Sequence, residues 1–252
     1  MLRSTSYFIS VAIIFAGLSP CAAQPATPPN AQDAAAKTLP KVLLIGDSIS
    51  GGYTKAVIQR MEGTANVSRI PGNGEYTGTG LKKIDEWLGD QRWDVIHFNW
   101  GLWDMYGWQY AKEDRSPKAY EERLEKLVLR LEMTGAKLIW ATTTPVCPEA
   151  EATMLNRFKT ELKITPEVER EYLDAAQRVM KKHQIQINDL HALVLPELET
   201  LSPAPDNVHF TGSGYGRMAK QVAEVITSAI QSEASDDNEA QEPANAPSVR
   251  EQ

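Results

Sequence analysis

The sequence predicts one α/β domain in which helices cover both faces of a parallel sheet. Short apolar runs of strand length alternate with longer segments that have helical periodicity. Parallel neighbours in a sheet need a crossover connection, which this alternation supplies. The chain between its two polar ends is roughly 200 residues long, enough for one well-buried core. We therefore expect a three-layered, doubly wound domain with about five parallel strands.

Five short segments predict the strands. Each contains Val, Ile or Leu in a short apolar run, from which we predict strands that are buried in the sheet. The predicted strands are Lys41–Gly46, Asn66–Ile70, Asp94–Asn99, Lys137–Thr142 and Ile185–Asn188.

Two predicted helices share a start signal. Ser116-Pro117 and Thr165-Pro166 each place a capping hydroxyl before a proline at the first helical position. A third, closing helix is predicted over Gly212–Ile230. Apolar residues recur at helical spacing through the first helix, which ends before Gly135; they are Leu124, Leu127, Val128 and Leu131.

Residues 1–23 predict a secretory signal peptide. They combine Arg3, a short apolar stretch and small residues before the expected cleavage site. The apolar stretch is too short to span a bilayer, which takes about 20 apolar residues. Lipid attachment at Cys21 is not expected, because Pro20 directly before it fits that signal poorly. We therefore expect a secreted or periplasmic protein.

Two further segments differ in composition from the predicted folded domain at 41–230. Residues 24–40 are rich in Ala, Pro and Thr and predict a flexible leader. Residues 231–252 are rich in acidic residues, Ala and Pro, and predict a disordered tail.

Charge and composition exclude several classes of partner. The net charge is -7 and no basic stripe is present, so nucleic-acid binding is not expected. No cluster has the spacing of metal ligands, and neither a metal nor an organic cofactor is expected. We expect a monomer without a stable membrane span.

Ser48 is the candidate nucleophile. It follows the first predicted strand in Gly46-Asp47-Ser48, and ligands of open α/β sheets bind beyond the carboxyl ends of strands. A serine hydroxyl needs an imidazole to take its proton and a carboxylate to orient that imidazole. Asp206 and His209, in a proline-bounded loop, are the candidates for these two roles.

With these residues the chain resembles the SGNH hydrolases, also called GDSL esterases and lipases. Gly46-Asp47-Ser48 matches the first sequence block of that family, and Asp206 with His209 matches the last. The resemblance implies a flavodoxin-like, doubly wound sheet of about five parallel strands. It also implies that Ser48, Asp206 and His209 form a catalytic triad that hydrolyses carboxylic esters through an acyl-enzyme.

The resemblance further implies an oxyanion hole. The backbone N–H of Ser48 and that of a glycine in the second block are the expected donors. Gly74 matches that glycine best, and Gly72 is the alternate.

Trp103 marks a departure from the family pattern. The third block is normally Gly-x-Asn-Asp, with the asparagine amide as a further oxyanion donor, and here it reads Gly101-Leu102-Trp103-Asp104. An indole N–H is a donor, so Trp103 either replaces the amide or fills its place with the ring. Asn99 is another candidate donor.

Aromatic residues crowd this block, and they either fill the core or form a wall for a sugar or acyl group. As substrate contacts we predict Trp100, Trp103, Asp104 and Trp108. Residues 145–164 form a long connection, which we interpret as a lid or a substrate-side insertion.

The expected function is that of an exported serine esterase whose partner is a small-molecule or polysaccharide ester. Export and the aromatic residues favour deacetylation of carbohydrate, largely by analogy. The alternatives are a lysophospholipase, lipase or thioesterase, and a non-catalytic carbohydrate-binding protein in which Trp103 occupies the oxyanion hole. The lack of a ligand cluster disfavours a metal-dependent phosphoesterase.

Overall fold

The computed structural model describes residues 38–106, 111–146, 164–205 and 207–241, with side chains up to residue 232. The compact unit that contains the sheet begins at Leu39. Several predictions lie outside the described residues: the signal peptide, nearly all of the leader, most of the 145–164 connection, the end of the tail, Trp108 and Asp206.

All five predicted strands are present in one parallel sheet. Its order is β2-β1-β3-β4-β5, the flavodoxin-like order that the sequence predicts. The strands are β1 (Lys41–Ile45), β2 (Asn66–Arg69), β3 (Val95–Phe98), β4 (Lys137–Ala141) and β5 (Gln186–Asn188).

The described helices alternate with these strands. They are α1 (Ser48–Arg60), α2 (Thr77–Leu88), α3 (Leu102–Met105), α4 (Pro117–Glu132), α5 (Pro166–Lys182), α6 (Leu190–Val194), α7 (Leu198–Leu201) and α8 (Gly212–Gln241), with a 3₁₀ turn at Leu195–Glu197.

The order of the strands puts helices on both faces of the sheet. From β1 the sheet grows one way to β2 and the other way to β3, β4 and β5. Right-handed crossovers then place α1 on one face and α2, α4 and α5 on the other. The closing helix α8 packs against α1, and α4 packs against both α2 and α5. The three-layered prediction is therefore confirmed.

Local sequence explains where the two proline-led helices begin. The Ser116 hydroxyl oxygen accepts the Ala119 N–H at the start of α4, and the Thr165 hydroxyl oxygen accepts the Val168 N–H at the start of α5, both at 3.4 Å. Both bonds satisfy backbone donors that a helix start leaves unpaired.

The closing helix corrects one prediction. It continues to Gln241 rather than ending at Ile230, so the expectation of disorder is wrong for residues 231–241. No proline or glycine interrupts this acidic segment before Pro243. The segment that α8 adds to the predicted helix, 231–241, therefore contains no residue that breaks a helix.

None of the described helices is both long and apolar enough to cross a bilayer.

Candidate active site

The first turn after β1 presents Ser48 at the carboxyl edge of the sheet. Ser48 is the first residue of α1 and is partly exposed. β1 and β3 are neighbours whose connections leave in opposite directions, which opens a crevice beyond their carboxyl ends. Ser48 follows β1 and Gly101 follows β3, so the two lie on either side of this crevice.

The side chain of Asp47 stabilises the turn that carries Ser48. Its carboxylate oxygen accepts the Ile49 N–H at 2.9 Å and thereby caps α1. The side chain is 4% exposed. Burial raises the pKa of Asp47 to about 6, although the Ile49 N–H and the charge of Arg69 oppose the shift. Asp47 is thus a structural residue rather than a reacting group.

His209 contacts the Ser48 hydroxyl. The distance from His209 Nε2 to Ser48 Oγ is 3.0 Å, which is hydrogen-bonding distance between a general base and its nucleophile. The structure therefore brings together two residues that are far apart in the sequence, as the sequence analysis predicts.

Asn207 orients the imidazole. Its Oδ1 lies 2.9 Å from the His209 backbone nitrogen and 3.0 Å from His209 Nδ1. A backbone N–H can only donate, so the asparagine atom that it contacts must be the carbonyl oxygen. That oxygen then requires a proton on Nδ1, which leaves Nε2 with its lone pair towards Ser48. This is the tautomer that a general base needs.

Asn207 is a residue that the sequence analysis missed. An asparagine that accepts a backbone N–H two residues later forms an Asx turn, and this signal was present two residues before His209. The predicted triad carboxylate, Asp206, lies outside the described residues, so its role stays a prediction.

The loop that carries His209 is tied at both ends. The Ser202 hydroxyl bonds the carbonyl oxygens of Ala204 at 2.7 Å and Asn207 at 3.2 Å. The Thr211 N–H donates to the Leu201 carbonyl at 2.7 Å, and this bond joins the start of α8 to the end of α7. The position of the imidazole is therefore fixed by backbone bonds as well as by Asn207.

Gly74 lies directly on the nucleophile turn. A Cβ at this position would lie 2.9 Å from the Gly46 carbonyl oxygen, so only glycine allows the approach. Its N–H donates to that same oxygen at 3.0 Å. An oxyanion on Ser48 would have to share this N–H with Gly46, and Gly74 as a donor stays a prediction. The alternate, Gly72, is exposed.

Two side chains, Asn99 and Trp103, are the predicted side-chain donors of the oxyanion hole. The Asn99 amide nitrogen donates to the Ala141 carbonyl at 2.8 Å and lies 3.5 Å from Thr143 Oγ1, so Asn99 joins the end of β3 to β4, and its role as the alternate donor stays a prediction. Trp103 is half-buried in α3, with its ring edge-on to Tyr106 at 6.4 Å. The Trp103 carbonyl accepts a bond from Arg115 at 3.2 Å. The role of the Trp103 indole N–H stays a prediction.

Two predicted substrate contacts are wrong. Trp100 is 1% exposed, and its indole N–H donates to the Gly74 carbonyl at 3.2 Å, so it supports the glycine loop from the core. Asp104 is 0% exposed and accepts the Thr77 N–H at 3.0 Å, so it anchors the start of α2. Burial on these scales leaves no surface for a substrate to touch.

Gly101, which follows β3 at the crevice, occupies a position that should tolerate no other residue. Its φ is 152°, and a Cβ there would lie 2.3 Å from Thr143 Oγ1. Gly101→Ala should therefore destabilise the fold by about 2 to 4 kcal/mol, the sum of backbone strain and overpacking. Gly135→Ala is the matched control, because its φ of 70° is also positive but its Cβ would meet nothing within 4 Å. Equal losses in chemical denaturation would contradict the steric argument.

In the part of the chain that the structure describes, no group of three or more His, Cys, Asp or Glu side chains is placed to hold a metal ion.

Comparison with known proteins identifies the fold. No family model matches the sequence, and no curated protein matches it at the sequence level. Solved structures do match. A lipase/acylhydrolase from Enterococcus faecalis is 20% identical with a TM-score of 0.61, over 75% of this chain and 96% of that chain. A carbohydrate acetylesterase from Sinorhizobium meliloti is 12% identical with a TM-score of 0.60, over 75% of this chain and 99% of that chain.

An acetyl xylan esterase is also similar, at 16% identity and a TM-score of 0.56, over 74% of this chain and 99% of that chain. Identities this low establish a shared fold and not a shared substrate. The strand order, the position of Ser48 at the switch point and these structural matches agree: the chain has the SGNH hydrolase fold.

Proposed function

We propose that the protein is an exported serine esterase that hydrolyses carboxylic esters through an acyl-enzyme, with acetylated carbohydrate as its preferred substrate. The single observation that carries the proposal is the 3.0 Å contact between Ser48 Oγ and His209 Nε2. The Asn207 carbonyl oxygen on Nδ1 supports it, because it selects the tautomer in which Nε2 accepts a proton.

In the proposed reaction, Ser48 Oγ attacks the ester carbonyl carbon while His209 Nε2 takes the hydroxyl proton. The carbonyl electrons move onto the oxygen, which the backbone N–H groups of Ser48 and Gly74 and the Trp103 indole would receive. The intermediate collapses as His209 gives its proton to the departing alcohol oxygen. Water then attacks the acyl-enzyme with His209 as base, and the carboxylic acid leaves.

Two observations favour an acetylated sugar. Structural neighbours include an acetyl xylan esterase and a carbohydrate acetylesterase. The edge-on pair of Trp103 and Tyr106 follows β3 at the crevice, where aromatic faces can pack against a sugar ring. A lipase/acylhydrolase is also among the neighbours, so long-chain esters are the competing substrate class.

A fluorophosphonate probe tests the proposed nucleophile. We expect covalent labelling of the wild-type protein and none of Ser48→Ala, with mass spectrometry of the labelled peptide as the measurement. An unlabelled wild-type protein that still binds acetylated sugar would favour the non-catalytic alternative.

An ester panel tests the proposed substrate. We expect kcat/KM for acetyl esters, including acetylated xylooligosaccharide, to exceed that for octanoyl esters of the same alcohol by about 10-fold or more, since each misplaced methylene costs roughly 10-fold or more in a shaped pocket. The opposite preference, or faster cleavage of a lysophospholipid, would contradict the sugar assignment.

Export predicts that the mature protein begins at Gln24, which its intact mass would reveal.

A further inference from the structure

Arg69 binds the backbone of the nucleophile turn and the loop after β2 at the same time. It is the last residue of β2 and is half-buried. All three guanidinium nitrogens have partners. Nη2 donates to the carbonyls of Gly46 at 3.1 Å and Asp47 at 2.8 Å; Nη1 donates to those of Ile70 at 3.1 Å and Gly72 at 2.6 Å; Nε donates to Ser50 Oγ at 3.2 Å.

The Asp47 carbonyl is the partner with a chemical consequence. It belongs to the same peptide group as the Ser48 N–H, the predicted oxyanion donor. That peptide is trans, so its N–H points away from the carbonyl. By fixing the carbonyl on one side, Arg69 fixes the N–H on the other.

The Asp47 carbonyl is also heavily loaded with donors. It accepts the Gly51 N–H at 3.1 Å and the Ser50 hydroxyl at 2.9 Å in addition to Arg69. Hydrogen bonds to a carbonyl polarise the whole amide and strengthen its N–H as a donor, and a charged donor does so most.

We propose that Arg69 is a positioning residue for the oxyanion hole, acting through the Asp47–Ser48 peptide and through the loop that carries Gly74. This inference rests on the proposed esterase function. A planar guanidinium suits the role because its fork reaches two loops at once, whereas a lysine ammonium is a point charge on a single stem. The Gly46 carbonyl oxygen links the nucleophile turn to the Gly74 loop, since it accepts hydrogen bonds from both Arg69 Nη2 and the Gly74 N–H.

Arg69→Met tests the proposal, with Arg60→Met as the matched control. Arg60 is exposed on α1 and bonds only within its own helix, to the Ala56 carbonyl. Rates are expressed per active site, counted by fluorophosphonate titration, so that misfolded protein does not enter. We expect kcat of Arg69→Met to fall about 10- to 100-fold, somewhat less than on losing a donor outright, with KM changed less than about threefold.

Inhibition by an alkylboronic acid, which forms a tetrahedral adduct on serine, gives a second readout. Its inhibition constant should rise by about the same factor as kcat falls, because both report oxyanion stabilisation. A residue that merely supports the fold would lower the number of active sites and leave kcat per site and the inhibition constant unchanged. That result would overturn the proposal.

Arg69→Lys is a second test of the proposal, to be used if the Arg69→Met variant does not fold. It retains the charge but reaches one loop at most, so kcat per site should fall about 10-fold. A folded lysine variant with wild-type kcat would overturn the proposal. Failure of the underlying function is distinguishable, because the wild-type protein itself would then show neither turnover nor labelling.

Discussion

His209→Ala should lower kcat by about 10⁴-fold or more, because among the described residues the imidazole is the group that lies at hydrogen-bonding distance to take the Ser48 proton. Ser48→Ala should cost about as much. The double variant should be no worse than either single variant, since the two side chains act as one unit. Initial rates with an acetyl ester, measured with freshly purified protein, give the comparison.

His183→Ala is the control for the histidine change. His183 follows α5 and pairs with Glu132 on α4, away from the carboxyl edge of the sheet. Its replacement should leave kcat within about twofold, as is usual for substitutions outside a site. A large loss in both histidine variants would point to folding rather than to proton transfer.

The two candidate acceptors for His209 Nδ1 can be separated in the same assay. Asn207→Ala removes the oxygen that the structure places 3.0 Å from Nδ1, and Asp206→Ala removes the carboxylate that the family resemblance predicts. If the carboxylate stabilises the imidazolium in the transition state, the Asp206 variant should lose more kcat, because a charge stabilises it more strongly than an amide dipole.

Asp104→Ala should destabilise the protein by about 2 to 4 kcal/mol at neutral pH, because it removes a buried hydrogen-bond acceptor. The buried carboxylate accepts both the backbone N–H and the hydroxyl of Thr77, at 3.0 and 2.6 Å. Its loss leaves the first N–H of α2 buried without this acceptor. Arg123 keeps bonds to Thr77 and to the Asp114 carbonyl, so its charge retains partners.

Asp85→Ala is the matched control on the same helix. Asp85 is highly exposed and pairs with Arg130 at 2.6 Å. An exposed ion pair contributes about 0 to 1 kcal/mol, so this variant should unfold near the wild-type midpoint in urea. Similar losses in both variants would contradict the anchoring role of Asp104.

The same carboxylate gives the protein a pH dependence. Burial raises the pKa of Asp104 to about 6, above its ordinary value of 3.8. Between these values the folded protein holds a proton that the unfolded chain has released, so stability falls as the pH rises. Asp47 acts in the same direction.

Asp104→Asn keeps an acceptor oxygen and cannot titrate. Between about pH 4 and pH 7, the Tm of this variant should therefore fall less than that of the wild-type protein. The difference between the two falls should correspond to at most about 3 kcal/mol in the free energy of unfolding. Parallel curves for the two proteins would contradict this account.

The sequence predicted the strands and the two proline-led helices well because their signals are local. The inner strands β1, β3 and β4 are continuous apolar runs and are buried as predicted, whereas the edge strands β2 and β5 are largely exposed, so the prediction of burial is wrong for those two. A capping hydroxyl before proline favours a helix start through local contacts alone. The extent of α8 was mispredicted because acidic composition was taken as disorder, although residues 231–241 contain neither glycine nor proline.

The site was predicted in part, and the errors share a cause. The motifs that predict Ser48 and His209 lie far apart in the sequence, and the structure brings the two side chains to 3.0 Å of each other, while their catalytic roles stay predictions. Trp100 and Asp104 were assigned to the substrate because they lie in the same short segment as Trp103, but adjacent residues of a turn point in different directions. The structure buries both.

The sequence by itself determined the fold class and the strand β1 that precedes the Ser48 turn, and it singled out Ser48 and His209 as candidates, because each of these depends on a local pattern or on a short motif. Only the tertiary structure decided which side chains meet. Asn207 on the imidazole, Arg69 across two loops and Asp104 beneath α2 all depend on distances between chain segments. Hydrogen bonding over such separations is set by how the sheet and its loops pack, and no periodicity in the sequence encodes it.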